Sequence, residues 1–239
     1  MSGDLPLIEA LVQRRIRFHV YNVTEHTPIE LAMHWCRLPI VRFLVGCYQL
    51  GQRGHDALRD MMSTASEDED GDPYPMIFLP IRQTLYPARL REAPILNFTP
   101  SGEERKEMVA YFVREGGADI WAQAYTHYHS LRTIYGSGHH DDQARRRSTV
   151  CRPAVLPLHM AACEGTKPLL IFFLTECKMP VNTRTPDLQL TALHCLAASQ
   201  LKEPDLLPIV IWLVKEKGAD VMCRDTKGYT AARVAAITK

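Results

Sequence analysis

The feature that most restricts this chain is a proline-led apolar run that recurs along it. Leu38-Pro39-Ile40-Val41, Lys167-Pro168-Leu169-Leu170 and Leu207-Pro208-Ile209-Val210 each open such a run. Proline suits the first turn of a helix, where its missing N–H has no intrahelical partner to lose. The stretches Ile40 to Val45, Leu169 to Leu174 and Ile209 to Val214 are apolar almost all round, as in helices packed between neighbours. Helix starts are therefore expected at Pro39, Pro168 and Pro208. A second element precedes the first at fixed distance: Thr27-Pro28-Ile29-Glu30-Leu31-Ala32 begins twelve residues before Pro39, and Leu156-Pro157-Leu158-His159-Met160-Ala161 begins twelve before Pro168. Thirteen residues beyond Pro168 and Pro208 stand Val181, in Pro180-Val181-Asn182, and Val221, in Ala219-Asp220-Val221. The repeated unit is helix, short turn, helix.

A chain of 239 residues, 46% of them hydrophobic, can bury a continuous core. Lys and Arg total 28 against 27 for Asp and Glu, a net charge of +1 that sets up no field for nucleic acid or an anionic membrane. The start, MSGDLPLIEALVQRR, lacks the basic region and apolar run of a signal peptide, and no apolar stretch approaches the length of a membrane span. Seven cysteines, Cys36, Cys47, Cys151, Cys163, Cys177, Cys195 and Cys223, form an odd set without a C-x-x-C pair, which suits neither a disulfide framework nor a zinc ribbon. A cytoplasmic or nuclear location is expected. No H-E-x-x-H, P-loop, G-x-S-x-G or G-x-G-x-x-G occurs, so neither a catalytic residue, nor a metal site, nor a cofactor is expected.

Leu158-His159-Met160-Ala161-Ala162 with its preceding Pro157, and Thr191-Ala192-Leu193-His194, are similar to the T-P-L-H-x-A helix start of the ankyrin repeat. Gly117-Ala118-Asp119-Ile120 and Gly218-Ala219-Asp220-Val221 resemble that family's turn after the second helix, and Cys223 to Ala231 follows its pattern onward. The resemblance implies an all-α solenoid of stacked helix-turn-helix units joined by hairpin fingers. It also implies positive φ at Gly218, as a helix C-cap, and at Gly228, in a finger. His159 and His194 then fall where the family places a histidine that ties successive hairpin loops together.

On this reading residues 1–239 make one ankyrin-repeat domain, with a half unit at 5–21, units at 22–60, 70–122, 150–182 and 183–222, and a half unit at 225–239. Unit starts at 27, 74, 156 and 191 leave room for two insertions, about 46–72 and 125–152. Both are read as mobile polar loops outside the stack. The final helix has no second helix after it, so either this short helix caps the stack by itself, or Val234 and Ile237 are covered by a partner, a second copy or a chain segment read here as loop. The family's recognition surface is built from finger tips and first-helix faces, which here implies Trp121, Gln123, Tyr125, Arg184, Gln189, Arg224, Lys227 and Tyr229 as contacts to a partner protein. Two other readings compete with a scaffold or adaptor: a structural component of a larger assembly, and a metal-dependent enzyme or regulatory subunit using His127, His129, His139, His140, Asp141 and Asp142.

Overall fold

The computed structural model of the chain describes residues 5–14, 27–51, 57–63, 65–67, 73–82, 99–125, 131, 134–135 and 153–238. The chain divides into two compact units, Met1–Ser66 with Pro75–Asp119, and Glu67–Tyr74 with Ile120–Lys239. Two short strands, β1 (Ala65–Glu67) and β2 (Pro73–Pro75), fall where the units divide the sequence.

The first unit contains α1 (Leu5–Gln13), α2 (Pro28–His34), α3 (Leu38–Gly51), α4 (Ala57–Ser63) and α5 (Gly102–Arg114). Thr27 caps α2 reciprocally with Glu30: the Thr27 N–H reaches Glu30 Oε2 at 2.7 Å, while the Glu30 N–H turns back to Thr27 Oγ1. The chain reverses through Cys36 at φ +52° into α3, which buries Ile40, Val41, Leu44 and Val45. Met76–Phe78 forms only a single 3-10 turn where the repeat pattern has a full first helix. Its neighbourhood is held instead by two polar pins: His34 Nδ1 donates to the Leu79 carbonyl, and the buried Arg105 of α5 donates to the carbonyls of Pro80, Ile81 and Pro100. A guanidinium taken out of water needs such acceptors. Arg105 thereby binds residues on both sides of 83–98 in the sequence.

The first insertion is not wholly a loop. α3 runs on to Gly51, and α4 packs so closely on the end of α5 that a Cβ at Gly116 would sit 2.8 Å from Met62 Cγ and 3.0 Å from Leu58 Cγ. Leu58 and Met62 are four residues apart, one turn on a single helix face, which is the periodicity that the acidic stretch after them obscures.

The second unit contains β3 (Ala124–Tyr125), β4 (Ala154–Val155), α6 (Pro157–Cys163), α7 (Lys167–Ile171), α8 (Ala192–Ala197), α9 (Glu203–Ile211) and α10 (Ala231–Thr238). α7 and α9 each continue into a wider π turn, Phe172–Glu176 and Trp212–Glu216. The first helices α6, α8 and α10 pack side by side, with α7 against α6 and α9 against α8. Leu158, Leu169, Leu170, Phe173, Leu196, Leu213 and Val234 have no exposed surface, and each such side chain stabilises the stack by about 1.5–3 kcal/mol. Both second helices end alike. Lys178 (φ +56°) and Gly218 (φ +72°) turn the chain left-handed, and the next N–H reaches back to the last turn, Met179 to Phe173 O at 3.0 Å and Ala219 to Leu213 O at 2.9 Å. α5 closes the same way through Gly117.

One expectation is corrected here. Pro208 does not start a helix: α9 begins at Glu203, with Pro204 and two acidic residues in its first turn, and Pro208 lies inside it. Pro208 faces solvent, where water can satisfy the Pro204 carbonyl that loses its donor. Val234 is fully buried within the unit, whereas Ile237 is 48% exposed.

Candidate protein-binding site

Three fingers line one side of the second unit. The first is β3 paired antiparallel with β4, Ala124 opposite Val155 and Tyr125 opposite Ala154. Residues 126–153 therefore lie between this finger's two strands in the sequence. The second finger closes where the Thr185 N–H donates to the Leu190 carbonyl, with Gln189 at φ +56°; the third closes from Asp225 to Tyr229, with Gly228 at φ +73°. Successive fingers are joined by polar bridges. The Ala154 N–H donates to Asp187 Oδ2 at 2.8 Å, the Thr226 N–H to the Leu188 carbonyl, and Arg184 to the Arg224 carbonyl at 2.8 Å. At the base, Asn182 Oδ1 accepts the Asp220 N–H.

Two buried histidines anchor the fingers to the helices behind them. His159 Nε2 donates to Thr183 O and His194 Nε2 to Tyr229 O, each at 3.0 Å. In His194 the tautomer is set, because Nδ1 accepts the Thr191 N–H and hydroxyl, leaving the proton on Nε2. In His159 the N-cap position holds Leu156, and Nδ1 is buried with no partner. Burial pushes the His159 imidazole down to about 4, against the milder opposite pull of the Thr183 carbonyl, and burial also lowers His194.

The ankyrin-repeat family model matches residues 189–226, the stretch that holds the second finger's tip, α8, α9 and the third finger's base. The ankyrin-repeat protein EF0377 has a similar fold, with a TM-score of 0.52 at 18% identity, covering 99% of this chain and 86% of that one. The chain carries an ankyrin repeat at 189–226 and has an ankyrin-repeat fold. A chain in the structure of the Bdellovibrio bacteriovorus predatory endopeptidase Bd0816 in complex with immunity protein Bd3460 is also similar, with a TM-score of 0.51 at 17% identity over 99% and 88% of the two chains. No curated protein matches it in sequence.

In this ankyrin frame the two histidines do what the resemblance implies, and Gly218 and Gly228 have the expected positive φ. The eight expected contact residues all belong to the second unit. Trp121 and Tyr125 are 47% and 43% exposed on the first finger, with Gln123 exposed between them. Arg184 and Arg224 are exposed and committed at one nitrogen each, Arg224 to the Gly228 carbonyl. Gln189 is half-buried and turns its amide back onto the Thr185 and Pro186 carbonyls. Tyr229 is half-buried beneath the Arg233 guanidinium, 4.5 Å from the ring centre.

Asp187, Asn182 and Asp225, which the sequence reading passed over, hold the fingers in place. Asp225 Oδ1 accepts the N–H groups of Lys227 and Tyr229 at 2.8 Å each. Its Oδ2 accepts the Tyr135 hydroxyl, and Lys227 Nζ caps the Ile134 carbonyl and lies 5.4 Å from the Tyr135 ring centre. The second insertion is therefore not simply a polar loop: Leu131, Ile134 and Tyr135 are helical and buried. Their spacing of three and four residues was the available signal, hidden among histidines and charges. His127, His129, His139, His140, Asp141 and Asp142 lie outside the described residues. Among the described residues no helix is long and apolar enough to cross a membrane.

Proposed function

We propose that this chain is a non-catalytic recognition module, a scaffold or adaptor that binds a partner protein through the finger surface of its second unit. The observation that carries the reading is the pair Trp121 and Tyr125, large exposed aromatic side chains, the second within the strand pair of the first finger and the first three residues before it. Rigid, exposed aromatic rings lose little conformational entropy on binding and bury much area. Arg184, Arg224 and Lys227 extend the surface with cationic donors. Repeat stacks leave such a continuous face for recognition because each unit's apolar surface is consumed by its neighbours. His159 and His194 are occupied as finger anchors, which argues against their use as catalytic bases.

Affinity capture from cells, compared between the native chain, a Trp121→Ala/Tyr125→Ala chain and a Leu207→Ser/Ile211→Ser chain altered on the second-helix face, tests this reading. Proteins captured by the native and second-helix variants and lost with the finger variant are expected. Capture unchanged by the finger variant contradicts it.

A further inference from the structure

α9 and its π turn bury Ile209, Trp212 and Leu213 in the stack, and the side left outside is apolar as well. Pro204, Leu207, Pro208 and Ile211 are all exposed, Leu207 by 58% and Ile211 by 42%. Their positions, i, i+3, i+4 and i+7, lie on one helix face, the pattern that ordinarily faces a core. Single exposed apolar residues are commonplace, whereas a stripe of them marks an interaction site. α5, which closes with the same left-handed turn in the first unit, supplies the contrast: its exposed side chains are Glu103, Glu107 and Arg114.

The charges at the ends of the stripe select what covers it. Glu203, Leu207, Ile211 and Lys215 recur every fourth residue and are all exposed, so acid, apolar, apolar and base follow one another along a ridge. Laid antiparallel on a second copy, about a two-fold axis at Ile209, this ridge complements itself. Leu207 meets Ile211 of the other copy and Glu203 meets its Lys215, each pair being made twice. A parallel arrangement sets Glu203 against Glu203 and Lys215 against Lys215. The charged residues stand about 9 Å along the helix from the centre, at the rim, where pairing requires little loss of hydration. Pro204 and Pro208 lose no side-chain freedom on being covered. The Pro204 carbonyl, whose helical donor Pro208 lacks, comes beside the Lys215 ammonium of the other copy.

We infer that the outer face of α9 is a two-fold, antiparallel interface whose occupant is α9 of a second copy of this chain. The fingers take no part in it, so the inference stands apart from the finger reading, and the dimer presents two finger surfaces. One helix from each copy makes a contact at the small end of specific interfaces, so a dissociation constant on the order of 10 μM is expected.

Sedimentation velocity of the full chain, over a range from about 1 to about 200 μM, measures the association. The native chain is expected to pass from monomer to dimer across that range. Leu207→Ser/Ile211→Ser, its fold checked by circular dichroism, is expected to stay monomeric. Glu203→Lys alone and Lys215→Glu alone each set two like-charge pairs across the axis and are expected to weaken the dimer about tenfold. Glu203→Lys/Lys215→Glu in one chain restores both pairs with the signs exchanged and is expected to recover the native affinity, which a purely structural role of either residue does not produce. Should the serine variant not fold, the charge series decides by itself, because both of its positions are exposed. A native chain that stays monomeric to about 200 μM overturns the inference. So does a dimer that persists in the folded serine variant, or single reversals that leave the dimer unchanged or that the double reversal does not rescue.

Discussion

Leu156 and Thr191 occupy the same place in the two helix layers of the second unit, and only Thr191 gives the histidine three residues on a partner for its Nδ1. The layers differ again where their second helices end, Lys178 against Gly218, and at the tips of the fingers that follow, Gln189 against Gly228. All four of these residues have positive φ, although only glycine reaches that region without steric cost. The first layer thus reaches the backbone geometry of the second with less suitable residues. Burial of its helices, and the bond from His159 to Thr183, outweigh the local penalties. The family model's match at 189–226 falls across the layer whose caps and turns follow the repeat.

The largest expected difference lies in the histidines. His194→Ala removes the bond to Tyr229 and the cap with Thr191 and is expected to cost about 4 kcal/mol, whereas His159→Ala removes one bond and an orphaned nitrogen and is expected to cost about 2 kcal/mol. Urea unfolding of the full chains at pH 7 measures both, and equal costs would break the comparison. Next comes pH. The His159 imidazole is depressed in the fold, so between pH 6.5 and about 4 the unfolded chain takes up a proton that the folded chain refuses. Its contribution is fully present above pH 6.5 and is lost as pH falls toward 4, by on the order of 3 kcal/mol. Unfolding at pH 7 and pH 4.5 is expected to show a smaller acid loss in His159→Ala than in the native chain; an unchanged loss would exclude His159 as its source.

Smaller effects sharpen the contrast at the turns. Gly165, between α6 and α7, has φ +63°, and a Cβ there would lie 2.0 Å from Leu201 Cδ1, so Gly165→Ala is expected to cost about 2 kcal/mol. Ser199, after α8, has a buried hydroxyl without a partner, and Ser199→Ala is expected to be neutral or slightly stabilising. Lys178→Gly is expected to gain up to about 1 kcal/mol, while Gly218→Ala loses about as much. Thermal melts of the four variants order these changes, and a loss on Lys178→Gly would show that its side chain matters more than its φ.

The helix pairs were legible because proline, the spacing of apolar residues and the two histidines all act locally. The same local logic misplaced the start of α9, since it read Pro208 as an opener and passed over Glu203-Pro204-Asp205, whose acids suit a helix N-terminus better. The turn glycines and histidine anchors of the fingers were legible through the family resemblance. What holds it was not, because Asp187, Asn182 and Asp225 act on residues 33, 38 and 90 positions away, and no periodicity reports such distances. The buried face of Leu131, Ile134 and Tyr135 was too short to stand out from its polar surroundings. In the first unit, Arg105 reads as one more charge in Glu103-Glu104-Arg105-Lys106, and only the fold reveals the three carbonyls it serves.

Amide hydrogen exchange of the full chain, alone and with a captured partner, locates the recognition surface most directly. Slower exchange is expected at 120–125, 184–190 and 224–229, with 203–216 unchanged. Protection confined to 203–216 would place the partner on the second-helix face and contradict the finger surface as the site of binding.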